Sequence, residues 1–304
     1  MNRLDIMFNS ENKILDISVK ESFFVDASLV FNKKNMWMEY KAVLKSLNDF
    51  IASNRLNNNK CFIYFLCTRP HIDITGFIFK KNYLVIKYTI FGKHKAIKAN
   101  IDIIQDNFGW GIHAINYING SVHLLYQNTT LVVDIHNFLR TCEINIGEGT
   151  NIHYIGYTKN PLSRPINGSH KGWSKVLFQN RNCNLDYFIV YNSFSVNILN
   201  SSKNVTMSFN NEFMNEITPE TEGLLVEKLM IYFFLNKNIL DNYENEIKEF
   251  DKHKLKLKKM FYKYLFLTFG FNENSEYYHF YSKYRQYEPI HTYEEEIHLT
   301  TAST

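Results

Sequence analysis

Apolar and polar positions along this chain follow two periods, and the switches between them outline its elements. "MWMEYKAVLKSLNDFIASNRL" places Tyr40, Val43, Leu44, Leu47, Phe50 and Ile51 at helical spacing, which predicts an amphipathic helix over residues 36–54. Before it, the apolar run from Phe23 to Val30 reads as strand. After it, "CFIYFLCT", "IDITGFIF", "YLVIKYTIF" and "KAIKANIDII" are short, rich in β-branched and aromatic residues, and bounded by turns, which predicts strands. Asn119-Gly120 within "HAINYINGSVHLLYQ" predicts a tight hairpin, and "TTLVVDIHNFL" closes the series. Residues 1–140 therefore read as an antiparallel sheet with one packed helix.

The pattern then changes. "TNIHYIGY" is a short strand behind the "GEGT" turn, and a helix is expected to open near Pro161, a favoured first helical position. "GWSKVLFQN" reads as a further short helix and "LDYFIVYNSFSVNIL" as one or two strands. "TPETEGLLVEKLMIYFFL" has Thr218 as cap, Pro219 just inside and acidic residues in its first turn. Its apolar set, Leu224, Leu225, Leu229, Ile231, Tyr232 and Phe233, predicts a mostly buried helix. Residues 245–268 read as a basic helix, and the tail from about 285 is acidic. The expected class is α+β, with an N-terminal module over 1–140 and a second unit over 141–304.

Composition narrows the function classes. A net charge of +4 and a pI near 8.6 permit a polyanionic partner and matter only if the surplus is concentrated. Cys61, Cys67, Cys142 and Cys183 have no metal-site spacing and read as buried small hydrophobes. No apolar leader and no membrane-length run are visible, so a cytoplasmic protein with no membrane partner is expected. The histidines form no zinc motif, and the glycines form no phosphate loop, dinucleotide turn or nucleophile elbow. "LKLKKMFYKYLF" interleaves lysines with aromatics, either to lie on a polyanion or as a solvated lysine face over a buried aromatic one.

One stretch, "HYIGYTKNPLSRPINGSHKGWSK", carries candidate chemistry. Phosphodiester hydrolysis needs a base for water, positive charge against the phosphate, and a carboxylate-held metal at the leaving oxygen. Tyr154 ends a strand and Arg164 lies ten residues on, in the expected helix, with Lys159 between them. A tyrosine becomes a usable base only where cations favour its phenolate. Glu227, set in an apolar helix between Leu224 and Ile231, supplies the carboxylate. Tyr157, Lys171 and Lys175 are candidate substrate contacts.

"YIG", a short spacer, "LSR", and downstream "VEKLMIYFF" resemble the GIY-YIG nuclease superfamily over residues 143–242. The resemblance implies an α/β unit with a small central sheet flanked by helices. It makes Tyr154 the YIG tyrosine, Arg164 the phosphate-binding arginine and Glu227 the single ligand of Mg²⁺ or Mn²⁺. Lys159 falls at a polar partner of the tyrosine, and His170 where restriction-type members carry a histidine. The implied function is a metal-dependent endonuclease of restriction, phage defence or mobile elements, on DNA in preference to RNA. The pattern is broken in two places: no GIY tripeptide precedes YIG at the usual distance, "EINIGEGT" having Ile146 or its neighbours where a tyrosine is expected, and Asn238 and Asn242 compete for the asparagine that often follows the glutamate. A fold that binds nucleic acid or protein without cutting is the alternative implied by the missing first tyrosine.

Overall fold

The computed structural model describes residues 13–32, 34–54, 61–118, 120–166, 171–180, 184–202, 205–235, 243–271 and 274–297. Asn119, His170, Cys183, Asn238 and Asn242 lie outside the described residues. Strand β1 (Lys13–Asp26) ends where the Asp26 carboxylate accepts from Ser28 N and caps α1 (Ala27–Phe31). That cap converts the second half of the strand expected at 23–30 into helix. Helix α2 (Trp37–Asn54) lies where the apolar spacing placed it. Next come β2 (Phe62–Pro70), β3 (Asp73–Phe79), β4 (Tyr83–Ile90) and β5 (Lys93–Asn100). Asn100 then caps α3 (Ile101–Phe108), so "IDII" is helix rather than strand. The hairpin of β6 (Ala114–Ile118) and β7 (Ser121–Leu125) leads through β8 (Thr130–Asp134) to α4 (Ile135–Thr141), capped by Asp134.

The second half continues with β9 (Thr150–Thr158), α5 (Lys171–Asn180), β10 (Leu185–Ser202) and β11 (Val205–Asn210). Helices α6 (Asn211–Met214), α7 (Pro219–Phe234) and α8 (Tyr243–Lys259) follow, then β12 (Tyr262–Gly270), β13 (Phe280–Tyr281) and β14 (Ile290–Glu296). The helix expected over 245–268 stops early. Phe261 takes a left-handed φ of 67°, and the alternating burial of "YKYLFLTFG" is that of a strand. The helix expected at Pro161 is a set of turns over 161–166. Arg164 N donates to Asn160 O at 3.1 Å, but Pro165 has no N–H to continue the ladder and disfavours helical backbone before it.

The chain is an α+β protein built on a mixed eight-stranded sheet, in the order β13-β9-β2-β10-β1-β12-β14, with β11 added to β10. Every residue of β2 is buried. A strand so apolar needs a paired neighbour on each edge and a packed layer on each face. It pairs antiparallel with β9 on one side and β10 on the other. Helices α7 and α8 cover the face of Leu15, Ile17, Phe65 and Val190, while α2 and α5 cover that of Phe62, Tyr64, Leu66 and Tyr191. The division expected near residue 140 is corrected by this pairing, because β1 and β2 belong to the same sheet as β9, β10 and β12. The segment with a core of its own is 72–146, where two three-stranded sheets, β3-β4-β5 and β6-β7-β8, pack with α3 and α4. It is inserted between β2 and β9. No helix among the described residues is long and apolar enough to cross a membrane.

Candidate active site

The site starts from the antiparallel register of β2 and β9, which sets Tyr64 opposite Gly156 and Leu66 opposite Tyr154. Tyr64 and Tyr154 therefore share one face as diagonal neighbours. Their rings stack with centroids 6.1 Å apart, and their hydroxyls are hydrogen-bonded to one another. The glycine of YIG is required by this contact. A Cβ at Gly156 would stand 2.5 Å from the Tyr64 hydroxyl and 2.6 Å from its Cζ. Tyr64 is fully buried, whereas Tyr154 is half-buried and forms the solvent-side end of the pair.

A third tyrosine holds the arginine. Tyr191 on β10 sits opposite Tyr64, and its hydroxyl donates to Pro161 O at 3.1 Å while accepting from the backbone of Ile166. Both ends of the 161–166 turn are thereby fastened to the sheet. Arg164 stands exposed on that turn, close enough for its charge to favour ionisation of both Tyr64 and Tyr154. Burial is the larger influence and pushes both phenols up; Glu227 pushes in the same direction. The bond between the two hydroxyls lowers Tyr154 and raises Tyr64, so Tyr154 is the better proton acceptor of the two.

Glu227 arrives from α7 on the far side of β9. Its Oε1 accepts from Tyr157 N at 3.0 Å, and its Oε2 lies 3.8 Å from Lys228 Nζ. The close approach depends on Gly223, one turn earlier, where a Cβ would meet that of Cys61 at 2.6 Å. Burial pushes the Glu227 carboxyl up to about 7, offset in part by Lys228 and the Tyr157 N–H and reinforced by Glu246 and Glu249. Burial opposes the Lys228 charge too, but Glu246, Glu249 and Glu227 outweigh it and hold the lysine protonated.

That shift has a consequence for stability. Unfolded, the Glu227 carboxyl loses its proton near 4.5; folded, it keeps the proton to about 7. Its contribution to stability is therefore complete below pH 4.5 and declines as pH rises toward 7, by up to ~3 kcal/mol. Urea midpoints measured from pH 5 to 8 should fall for the native chain relative to Glu227→Gln. A difference between the two that stays constant with pH would contradict the assignment.

The expected site residues are thus only partly brought together. Arg164 and Glu227 both act on the ionisation of Tyr154, the first favouring it and the second opposing it. Lys159 lies 3.1 Å from Glu220 in the first turn of α7, with Tyr157 and Cys61 as its other electrostatic neighbours. The Tyr157 ring is half-buried against the core beneath α7. Lys175 is half-buried on α5, which Lys171 begins, and His170 lies outside the described residues. The residue missed was Tyr64. Its signal, "FIY" at 62–64, stands ninety positions before Tyr154 and reads in isolation as an ordinary apolar strand. Compared with protein-family models, curated proteins and solved structures, the chain has no match.

Proposed function

We propose that this chain hydrolyses phosphodiester bonds of nucleic acid, DNA in preference to RNA, as a nuclease of the GIY-YIG type. The observation that carries the reading is the Tyr64–Tyr154 pair beside Arg164 and Glu227. Strand β2, paired with β9, sets Tyr64 beside Tyr154, which supports reading it as the tyrosine that the linear motif lacks. Arg164, exposed and charged, is suited to a non-bridging phosphate oxygen. A water lying against phosphorus gives its proton to the Tyr154 oxygen as its own oxygen bonds phosphorus. The bond from phosphorus to the leaving nucleotide oxygen breaks, and that oxygen takes a proton from solvent. Arg164 and the bond from Tyr64 favour the anionic Tyr154 that this step needs; burial and the charge of Glu227 oppose it. Neutralising Glu227 removes one of those two oppositions.

Glu227 is the residue that would hold Mg²⁺ or Mn²⁺. One carboxylate suits a hard cation that keeps several waters and shares oxygens with a bound phosphate, and burial raises the Glu227 carboxyl to about 7 although Lys228 offsets part of that shift. Bound there, such an ion supplies positive charge to the leaving oxygen.

One observation favours a non-cutting fold instead: Lys228 already stands 3.8 Å from Glu227 and partly occupies a cation's role. Incubation of the purified chain with plasmid and single-stranded DNA, with Mg²⁺ or Mn²⁺, separates the two readings. Nicking or linearisation that disappears in Glu227→Ala supports the nuclease. Salt-sensitive binding with no cleavage by the native chain supports the binding fold.

A further inference from the structure

The inserted segment holds the chain's positive surplus. Residues 80–100 carry Lys80, Lys81, Lys87, Lys93, Lys95 and Lys98, together with His94 and no carboxylate. Outside them, the chain's 30 carboxylates outnumber the remaining lysines and arginines. All six lysines are exposed, and among the described residues none forms an ion pair. They lie on the hairpin of β4 and β5 and on the turn leading into it. β4 also pairs with β3, so the hairpin is one side of a three-stranded sheet; the register puts Lys87, His94 and Lys98 on its outer face, and the exposed Lys93 and Lys95 near the tip on the face that Leu84, Ile86, Tyr88 and Ile90 bury in the core.

At the tip, Phe91 and Gly92 form a two-residue turn with φ of 49° and 72°. Such turns favour asparagine, aspartate or glycine, since a side chain at positive φ is strained. Phe91 takes that strain while leaving its ring 60% exposed. Lysines on an exposed edge also guard a sheet against pairing with other chains, and β5 is an edge. That role covers Lys93, Lys95 and Lys98. It does not account for Lys80, Lys81 and Lys87 away from the edge, or for an apolar ring at a strained tip.

We propose that the β4–β5 hairpin is a finger that grips duplex DNA, with its lysines on the phosphates and the Phe91 ring against a base step. This rests on nucleic acid being the partner, as the nuclease reading holds. Strands of a sheet can lie along the grooves of B-form DNA, and the deep, narrow major groove of duplex RNA does not admit side chains. Eight residues in β5 give a free sheet edge of about 25 Å, longer than the major groove is wide, so lysines along it can meet the phosphates of both walls. An exposed aromatic at such a tip stacks on bases or wedges between them. The insertion leaves the sheet at Pro70, about 20 Å along β2 from Tyr64, so finger and candidate site would engage different stretches of one duplex.

The test is binding of a fluorescent 30-bp duplex to the full chain in EDTA, over a series of salt concentrations. Lys93→Gln/Lys95→Gln/Lys98→Gln should weaken binding at least tenfold near 0.1 M salt and flatten the log-log salt slope by about 2 to 3. Phe91→Ala should lose about tenfold with the slope unchanged, because stacking releases no counterions. All four residues are exposed, so thermal unfolding should match the native chain and exclude misfolding as the cause. Native affinity and slope in both variants would overturn the finger, as would a preference for duplex RNA or for anionic phosphatidylserine vesicles. Cleavage is scored separately with Mg²⁺. Loss of binding in the hairpin variants, from a native chain that binds but never cuts, would leave the finger standing and remove the nuclease.

Discussion

Tyr64→Phe should lower cleavage at neutral pH by about a hundredfold while leaving DNA affinity near the native value. The substitution keeps the ring that covers Gly156 and removes only the hydroxyl that is hydrogen-bonded to that of Tyr154. Without that hydroxyl, the anionic form of Tyr154 loses the hydrogen bond that favours it, and proton transfer to a positioned side chain is worth about 10² to 10⁴ in rate. Tyr154→Phe should cost at least as much. Arg164→Ala should cost about 10² to 10³ and also weaken substrate binding, since a charged group on the phosphate acts on both. Single-turnover rates against pH separate these effects. Tyr64→Phe should move the alkaline rise of the rate upward, and Arg164→Ala should do so while also raising the substrate concentration at half-saturation. A Tyr64→Phe enzyme with native rate and native pH profile would remove Tyr64 from the site and leave the motif without its first tyrosine.

The largest expected effect on stability lies at Arg69. The residue is 1% exposed, with one guanidinium nitrogen 2.7 Å from Glu276 Oε1 and the guanidinium centre 3.7 Å over the Tyr277 ring. The other Glu276 oxygen accepts from the backbone of Gly147 at 2.7 Å and Glu148 at 3.0 Å. One ion pair thus ties the end of β2 both to the turn before β9 and to residues 276–277. Arg69→Met leaves the Glu276 charge buried without compensation and should cost about 3–5 kcal/mol. Adding Glu276→Gln to that variant should recover most of the loss, because a neutral amide oxygen still accepts from the two backbone donors. Chemical denaturation of the two variants checks this. If the double variant is less stable than Arg69→Met, the pair is not the source of the cost.

Much of the fold was legible from local pattern. The helices at 37–54 and 219–234 follow from apolar spacing and, in the second, from the Thr218 cap and Pro219. The strands from Phe62 to Ile90 follow from β-branched and aromatic runs bounded by turns, and the β6–β7 turn from the placement of Gly120. Errors gathered where one polar residue redirects an apolar run. Asp26, Asn100 and Asp134 each end a strand by capping a helix, and apolar content alone does not distinguish the two states. Phe261 divides what reads as one basic helix into a helix and a strand, because the same lysine and aromatic residues satisfy either period.

By itself the sequence determined the α+β class, Tyr154 and its spacing to Arg164, and the helix that carries Glu227. Tertiary structure alone decided what stands beside them. Strand pairing is not local: β2 and β9 are hydrogen-bonded neighbours although residues 71–149 lie between them in the chain. A tyrosine sought at hairpin distance is therefore not found, while the sheet sets Tyr64 beside Tyr154. The ionisation of the site was equally out of reach, since the carboxyl of Glu227 is raised by burial beneath α7 and β9, and burial belongs to the packed sheet rather than to any stretch of residues.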